Sequence, residues 1–272
     1  MSGLNILVPL AGEGRSFREH RSVFPKPLVE IGGKPMIQVV VENLAALMPA
    51  RFIFVINRDD AERFALAEVL RLVAENCEVI VAPGPTRGAA CTAMLAIRHI
   101  DNDDPLVIAN GDQFLNCDLS EFLADAYLRE LDGSMITFRS VHPKWSFARL
   151  DDDGFVVETS EKRPISNNAT AGVYYFRCGR GFVRVCQSMI RKDARVMDQF
   201  FICPAYNEMI LEGARIRTYA VPDDVMFPLT TPEEVKIFAA SQGGRHAEHR
   251  DSRSRRRLTL YPRRAQTAEA LY

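Results

Sequence analysis

Residues 5–15 read NILVPLAGEGR, and this stretch decides the fold class. Its first six residues form an apolar run, which predicts a short buried strand that ends at Leu10. A Gly-x-Gly loop follows directly. Its two glycines allow the backbone to come close to a bulky anion and to point N–H groups at it. The stretch therefore predicts a strand that leads into a phosphate-binding loop formed by Leu10, Ala11, Gly12 and Gly14.

A Gly-x-Gly loop alone is a weak signal, and two better-known phosphate motifs are excluded. The dinucleotide-binding fingerprint needs a third glycine where Phe17 stands. A Walker loop needs Gly-Lys-Ser/Thr, which does not follow here. Basic residues strengthen the phosphate prediction, because Arg15 and Arg18 follow the loop and Lys26 is held between two prolines.

Three motifs together resemble the beginning of the sugar-phosphate nucleotidyltransferases, the pyrophosphorylases that make NDP-sugars. They are AGEG at residues 11–14, PKPL at residues 25–28 and GGKPMI at residues 32–37. The resemblance covers roughly residues 4–240. It implies a GT-A-like, Rossmann-related α/β domain of three layers with a mixed, mainly parallel central sheet. It also implies that Arg15 and Lys26 are catalytic residues that act on phosphates.

Strand-like runs alternate with amphipathic helical patterns in the first half of the chain. This alternation predicts right-handed βαβ units and a mainly parallel sheet that is covered on both faces. The predicted strands are Asn5–Leu10, Phe52–Ile56, Cys77–Val81 and Pro105–Ala109, and the predicted helices are Pro35–Leu47, Asp60–Glu75 and Gly88–Ile100.

Shorter strands are predicted after about Leu131, and helices return towards the end. The acidic run Asp151–Gly154 between two of these strands is typical of a solvated turn rather than of a metal site. The predicted strands are Met135–Arg139, Phe147–Leu150, Phe155–Thr159, Ala171–Phe176 and Ile216–Val221, and the predicted helices are Phe182–Ile190, Ala205–Leu211 and Pro232–Ala240.

Asp112 is the candidate metal ligand. It follows the predicted strand Pro105–Ala109, and ligands of such sheets bind at the carboxyl ends of strands. A carboxylate opposite a phosphate-binding loop suits a Mg²⁺ ion held between the protein and a triphosphate. The resemblance implies the same metal role for Asp112 and nucleotide binding by Gly111. Many members of the family carry further acids where this chain has Asn110 and Pro228.

Two later segments also match the family. In PTRGAA at residues 85–90, Thr86 could cap the following helix, and Gly88 could leave room for a flat ring. The resemblance implies that both residues contact the nucleotide base. In the segment that begins EKRP at Glu161 and reaches Gly172, it implies that Glu161 accepts hydrogen bonds from sugar hydroxyls. Lys162 would then hold the phosphate of the acceptor, where it counts as catalytic, and Gly172 would belong to the same sugar-phosphate site.

Composition limits the other possibilities. The 272 residues are 47% hydrophobic and 25% charged with a net charge of −1, so nothing predicts a nucleic-acid or membrane partner. Six scattered cysteines without a C-x-x-C pair are typical of reduced thiols in a cytoplasmic protein. Residues 241–272 hold eight arginines and three acids and predict a basic, disordered tail beyond a nucleotidyltransferase domain at residues 1–240.

The predicted activity joins an NTP to a sugar 1-phosphate, or to a similar phosphorylated small molecule, with release of pyrophosphate. The predicted cofactor is Mg²⁺, the partners are the two substrates, and a homo-oligomer is possible. One alternative is a GT-A glycosyltransferase that uses an NDP-sugar, although such an enzyme needs no PKPL or EK lysines and normally shows D-x-D. The other is a non-catalytic protein that binds nucleotides or sugar phosphates, which the transposed Arg15-Ser16 pair and the missing acids leave open.

Overall fold

The structure is a computed structural model that describes residues 3–12, 14–20, 22–47 and 49–241. The predicted tail therefore lies outside the described residues, apart from Ser241. The strands of the first half are β1 (Leu4–Leu10), β2 (Glu30–Ile31), β3 (Lys34–Pro35), β4 (Ala50–Ile56), β5 (Glu78–Val81), β6 (Leu106–Ala109) and β7 (Gln113–Leu115). Those of the second half are β8 (Gly133–Arg139), β9 (Ser146–Leu150), β10 (Val156–Glu161), β11 (Asn168–Phe176), β12 (Ile216–Ala220) and β13 (Met226–Pro228).

Helices alternate with these strands. They are α1 (Arg15–Glu19), α2 (Met36–Leu44), α3 (Arg58–Phe64), α4 (Leu66–Val73), α5 (Ala89–Met94), α6 (Ile97–Ile100), α7 (Leu119–Leu128), α8 (Gly179–Arg191), α9 (Ala205–Leu211) and α10 (Pro232–Ala240). Short 3-10 helices occupy Lys26–Leu28, Ala45–Leu47 and Asp223–Val225. None of the helices in the described ranges is long and apolar enough to cross a membrane.

Most predicted elements are present, with three differences in the helices. The predicted helix Asp60–Glu75 is two helices, because Ala65 between α3 and α4 adopts a left-handed conformation with φ of 51°. The predicted helix Gly88–Ile100 is likewise divided into α5 and α6. Helix α7 was not predicted; Asp118 begins it by accepting a hydrogen bond from the backbone N–H of Ser120.

Strand β1 lies at the centre of a parallel arrangement. It pairs in parallel with β4 over its whole length and with β6 on its other side. The chain runs outward from β1 through β4 to β5 and then returns to β6, so the strand order reverses between β1 and β6. In an open α/β sheet this reversal creates a crevice at the carboxyl ends of the two strands, where ligands bind.

Antiparallel pairing extends the sheet beyond β6. Strand β11 pairs antiparallel with β6, β8 and β9, while β12 pairs in parallel with β8. The described part of the sheet thus has nine strands and is mixed, as predicted.

The two faces of the sheet carry two separate apolar clusters. Alternate side chains of β1 illustrate the division: Ile6 and Val8 pack on one face with α2, and Leu7 packs on the other with α5 and α8. All three side chains are fully buried. This alternation is the expected consequence of the period of two in a strand, and it confirms the three-layer architecture.

The last part of the domain returns to the crevice. Strand β13 pairs antiparallel with β7, and the N–H of Leu229 donates to the backbone oxygen of Asp112 at 2.8 Å. Thr231 is the N-cap of helix α10 and forms a capping box with Glu234. Pro232 is the first helical residue. The helix that the sequence predicts from Pro232 therefore begins where it was expected.

Tyr206 provides a test of how the second apolar cluster is held together. Its side chain is fully buried, and its hydroxyl donates to the backbone oxygens of Ser134 and Tyr175, each at 2.8 Å. We expect Tyr206→Phe to lower the free energy of unfolding by about 1–3 kcal/mol, because two buried acceptors lose their donor. Tyr219→Phe is the matched control, since its hydroxyl bonds Glu121 at an exposed position. Equal losses in urea unfolding would contradict this interpretation.

Candidate active site

A cavity of about 300 Å³ lies at the crevice between β1 and β6. Most of the predicted nucleotide and metal residues line one side of it, and the second half of the chain supplies the other side. The first group comprises Leu10, Gly12, Gly14, Lys26, Asn110, Gly111 and Asp112, and the second comprises Ser146, Glu161, Tyr174, Phe201, Ile202 and Cys203.

The two glycines of the loop differ: Gly14 packs closely against Lys26, and Gly12 has open space around it. Gly14 has φ of +58°, and a Cβ atom there would lie 3.2 Å from Cβ of Lys26. At Gly12, which lines the cavity, a Cβ would meet none of the described atoms within 4 Å. Gly14 therefore permits the close approach of Lys26, and Gly12 leaves its backbone open to a ligand. Ala11, which precedes Gly12 in the chain, lies outside the cavity lining.

The loops after β1 and β6 pack tightly against each other. A Cβ atom at Gly111 would lie 2.2 Å from Cδ2 of Leu10, so a larger residue there would require the Leu10 side chain to move. Lys26 and Asp112 meet at this junction, where the ammonium group donates to a carboxylate oxygen. Both side chains are largely but not fully covered, at 18% and 26% exposed. The 3-10 helix Lys26–Leu28, entered from an extended Pro25, fixes the lysine backbone as predicted.

Glu161 is a buried carboxylate that the second half of the chain contributes to the cavity. It ends β10 and accepts a hydrogen bond from Oγ of Ser146 on the neighbouring strand β9. Burial raises the pKa of Glu161, and the bond from Ser146 and the charge of Lys162 oppose that rise only in part. The pair suits recognition of a neutral polar group such as a hydroxyl.

Lys162 lies just outside the cavity lining. It is exposed, and its ammonium nitrogen is 5.1 Å from the centre of the Phe201 ring, which does line the cavity. Its backbone is left-handed with φ of 54°, and its N–H donates to the backbone oxygen of Trp145 at 2.9 Å.

The structure changes the physical reasons given above for Thr86 and Gly88. Helix α5 begins after Gly88 without a side-chain cap, and Oγ1 of Thr86 instead contacts Oγ1 of Thr92 at 2.6 Å. Gly88 has φ of +104°, and a Cβ atom there would lie 2.4 Å from the backbone oxygen of Phe200. Capping by Thr86 and room for a ring above Gly88 were therefore wrong. Base binding by this segment stays a prediction.

Gly172 contributes by bending β11 beside the site. The pairing of β11 with β8 shifts between Thr170 and Tyr174, and Gly172 there has φ of +66°. Its backbone oxygen accepts from the N–H of Asn110 at 2.9 Å, and a Cβ atom would lie 2.4 Å from Nδ2 of Asn110. Gly172 thus supports the loop that carries Asp112 and lies outside the cavity lining.

Pro228 occupies the neighbourhood that the family resemblance assigns to it. It pairs with Gln113, the residue after Asp112, across the β7–β13 ladder. Asp223 and Asp224 lie beyond the far end of that ladder, and Asp223 accepts from the N–H of Arg139 at 2.8 Å. Neither aspartate is therefore placed to substitute for the missing acid beside Asp112.

The residues present fit a Mg²⁺ ion that binds together with phosphates. Asp112 is a partly exposed carboxylate at the cavity, and the part of the chain that the structure describes has no group of three His, Cys, Asp or Glu residues able to hold a metal by themselves. Mg²⁺ is commonly bound by one or two carboxylates together with substrate phosphates and water. Asp112 is thus suited to a metal that arrives with a nucleotide.

Ser146 and Phe201 are among the cavity residues that sequence reasoning missed. Ser146 is identified only by its position opposite Glu161 in the β9–β10 ladder, and no local motif marks it. Phe201 follows another phenylalanine in a segment without periodicity, and only the fold shows which of the two rings faces the cavity. Arg15 is the first residue of α1, and its catalytic role stays a prediction.

Residues 7–154 match the family described as the MobA-like NTP transferase domain. The chain belongs to this family. The match includes the glycine loop, Lys26 and Asp112, so it covers the side of the cavity formed by the first half of the chain.

Two curated relatives carry the name bifunctional protein GlmU. That of Methanocaldococcus jannaschii is 25% identical over 178 residues, which are 64% of this chain and 40% of the relative. That of Cupriavidus necator is 24% identical over 219 residues, 77% of this chain and 45% of the relative. The chain thus spans less than half of the length of either relative.

The fold is also that of a solved structure, a nucleoside-diphosphate-sugar pyrophosphorylase from Vibrio cholerae. The two share 22% identity with a TM-score of 0.73, over 87% of this chain and 100% of the other. The comparisons confirm the predicted fold and show that the chain belongs to an NTP transferase family.

Glu161 yields a prediction on stability. Because the pKa of Glu161 is raised in the folded chain, that chain keeps the Glu161 proton to higher pH than the unfolded chain does. The free energy of unfolding therefore falls as the pH rises from the ordinary carboxyl range through the raised pKa of Glu161. We therefore expect Glu161→Gln to stabilise the fold at pH 7 and to be near neutral at pH 4, as measured by urea unfolding. Glu158→Gln, at a partly exposed site paired with Arg149, should show no such gain. A gain of equal size at both pH values would contradict the prediction.

Proposed function

We propose that the protein transfers a nucleotidyl group from an NTP to a sugar 1-phosphate or a similar phosphorylated small molecule. An oxygen of the acceptor phosphate attacks the α-phosphorus of the NTP and forms a new P–O bond. The bond from the α-phosphorus to the bridging oxygen breaks, and pyrophosphate leaves. The products are an NDP-linked molecule and pyrophosphate.

One observation carries this proposal: a single cavity joins two different polar ends. The Lys26–Asp112 ion pair lies beside the glycine loop, where a triphosphate would bind. Glu161 and Ser146 line the same cavity, and Lys162 follows Glu161 in the chain. The first end suits a polyanion with a metal, and the second suits a hydroxylated molecule that carries a phosphate.

The chain's own residues would bind and align the two anions. Lys26 can leave Asp112 for a phosphate oxygen, because its flexible stem and three donors allow the ammonium group to move while the backbone is fixed. Mg²⁺ held by Asp112 would neutralise charge on the phosphates. Lys162 would reduce repulsion at the acceptor phosphate. No side-chain nucleophile is needed, since catalysis of this kind consists of alignment and charge stabilisation.

The membership in an NTP transferase family favours this reaction over the glycosyltransferase alternative. The name of the V. cholerae structure, a nucleoside-diphosphate-sugar pyrophosphorylase, supports a sugar phosphate as the acceptor. Magnesium dependence and a cytoplasmic location are further parts of the proposal, and the homo-oligomer stays a prediction.

A coupled assay of pyrophosphate release tests the function. Each of the four NTPs is combined with glucose 1-phosphate and with N-acetylglucosamine 1-phosphate in the presence of Mg²⁺. We expect one pairing to release pyrophosphate, and we expect chelator and Asp112→Asn each to abolish it. Binding of NTP without turnover on any acceptor would favour a non-catalytic protein, and cleavage of an added NDP-sugar would favour a glycosyltransferase.

Lys26→Ala should lower kcat by roughly 10²-fold or more, the usual effect of removing one positioned electrostatic group. Lys34→Ala is a matched control. Lys34 pairs with Glu42 at 3.0 Å with similar exposure, 16% and 28%, but outside the cavity. Circular dichroism should show both variants folded. Near-normal turnover of Lys26→Ala would remove this lysine from the mechanism.

Lys162→Ala should act on the acceptor rather than on the NTP. We expect the KM for the sugar phosphate to rise and kcat to fall, with a much smaller change in the KM for the NTP, because a lysine balances a phosphate largely as a point charge. Arg163→Ala is the control, since Arg163 is exposed and pairs with Glu158. If only the KM for the NTP changed, Lys162 would belong to the triphosphate site instead.

A further inference from the structure

Phe201 lines the cavity and contacts Lys162. The Phe201 ring lines the cavity together with Glu161 and Asp112. The Lys162 ammonium nitrogen lies 5.1 Å from the centre of this ring. This distance is within the range in which a ring face attracts a cation. The ring is therefore placed to determine where the ammonium group rests.

The backbone on both sides of Phe201 is held in place. The N–H of Phe200 donates to the backbone oxygen of Arg87 at 2.7 Å, and the oxygen of Phe200 accepts from the N–H of Ala90 at 3.0 Å. The Phe200 side chain is buried in the apolar cluster on that face of the sheet. Two residues after Phe201, the oxygen of Cys203 accepts from Oγ1 of Thr159 on β10 at 2.9 Å.

The strand that leads to Lys162 is fixed to the same region. The side chain of Asn207 on α9 bonds both backbone groups of Thr159, as acceptor from the N–H at 2.8 Å and as donor to the oxygen at 2.9 Å. Lys162 then turns away from β10 in a left-handed conformation that lysine rarely adopts. Such outliers tend to persist where the surroundings impose a geometry that function needs.

We propose that Phe201 is a positioning residue, whose ring face holds the Lys162 ammonium group at the acceptor end of the cavity. The inference rests on the proposed function, because it assigns Lys162 to the acceptor phosphate. Phe201 acts through Lys162 and contributes no chemistry of its own. The segment 199–203 thereby links the predicted base-binding segment 85–90 to the acceptor side.

Kinetics with the acceptor found in the pyrophosphate assay provide the first test. Phe201→Leu keeps an apolar side chain but removes the ring face. The KM for the acceptor should rise about two- to fivefold with the KM for the NTP unchanged, the size expected from one exposed cation–π contact. Phe201→Tyr should restore the wild-type value. In a Lys162→Met background, Phe201→Leu should have no further effect; an undiminished effect there would show that Phe201 is only a wall of the cavity.

Phe155 offers a matched control outside the cavity. Its ring lies 4.5 Å from the guanidinium carbon of Arg217, so Phe155→Leu removes a comparable contact elsewhere. The acceptor KM should not change in that variant. A rise equal to that of Phe201→Leu would indicate a general loss of packing and would overturn the proposal.

A binding measurement keeps the inference separate from the proposed reaction. Reductive ¹³C-methylation labels the lysines, and Lys162→Arg identifies the Lys162 signal. The aromatic ring should shift this signal upfield, and Phe201→Leu should remove the shift. Glucose 1-phosphate or N-acetylglucosamine 1-phosphate should move the Lys162 signal. In Phe201→Leu the affinity for the sugar phosphate should be about two- to fivefold weaker, like the kinetic effect. If the Lys162 signal is not shifted upfield and does not move with either sugar phosphate, the positioning role is overturned. If the signal moves with a sugar phosphate but no pyrophosphate is released, only the proposed reaction is overturned.

Discussion

The pairing of β1 on both of its edges is the constraint on which the site depends. Because β4 and β6 occupy the two sides of β1 in parallel, the loops that leave β1 and β6 emerge next to each other at the same edge of the sheet. Gly111 then allows these loops to pack closely, because a Cβ atom there would clash with the Leu10 side chain. The meeting of Lys26 with Asp112, 86 residues apart in the chain, follows from this packing.

The second half of the chain completes the cavity through antiparallel pairing. Strand β11 adds to β6, and its bend at Gly172 fits beside Asn110. The β9–β10 ladder places Ser146 against Glu161 on the other side of the cavity. The parallel strands thus present the loops that suit an anion, and the antiparallel strands present the polar groups that suit a second molecule.

Much of this could be predicted from the sequence. The runs around β1, β4, β5 and β6 are apolar enough to identify buried parallel strands, and Gly12, Lys26 and Asp112 stand in motifs with a clear chemical reason. The misjudged features depend on tertiary contacts. Ala65 breaks a helix that periodicity alone would continue, and the missing side chain of Gly88 makes room for the backbone of Phe200, 112 residues later. Phe201 and Ser146 carry no local signal, because only long-range pairing decides which way they face.

The return of the chain to Asp112 has a consequence for how the protein can be divided. The family match ends at residue 154, before β10, β11 and β13. A fragment cut there would leave β6 as an unpaired sheet edge, without β11 beside it, and would remove the hydrogen bond from Leu229 that holds the Asp112 loop. An exposed apolar edge strand invites association with other chains. The end of the family match is therefore not a limit of independent folding, because the part of the site inside the match is completed by strands that lie outside it.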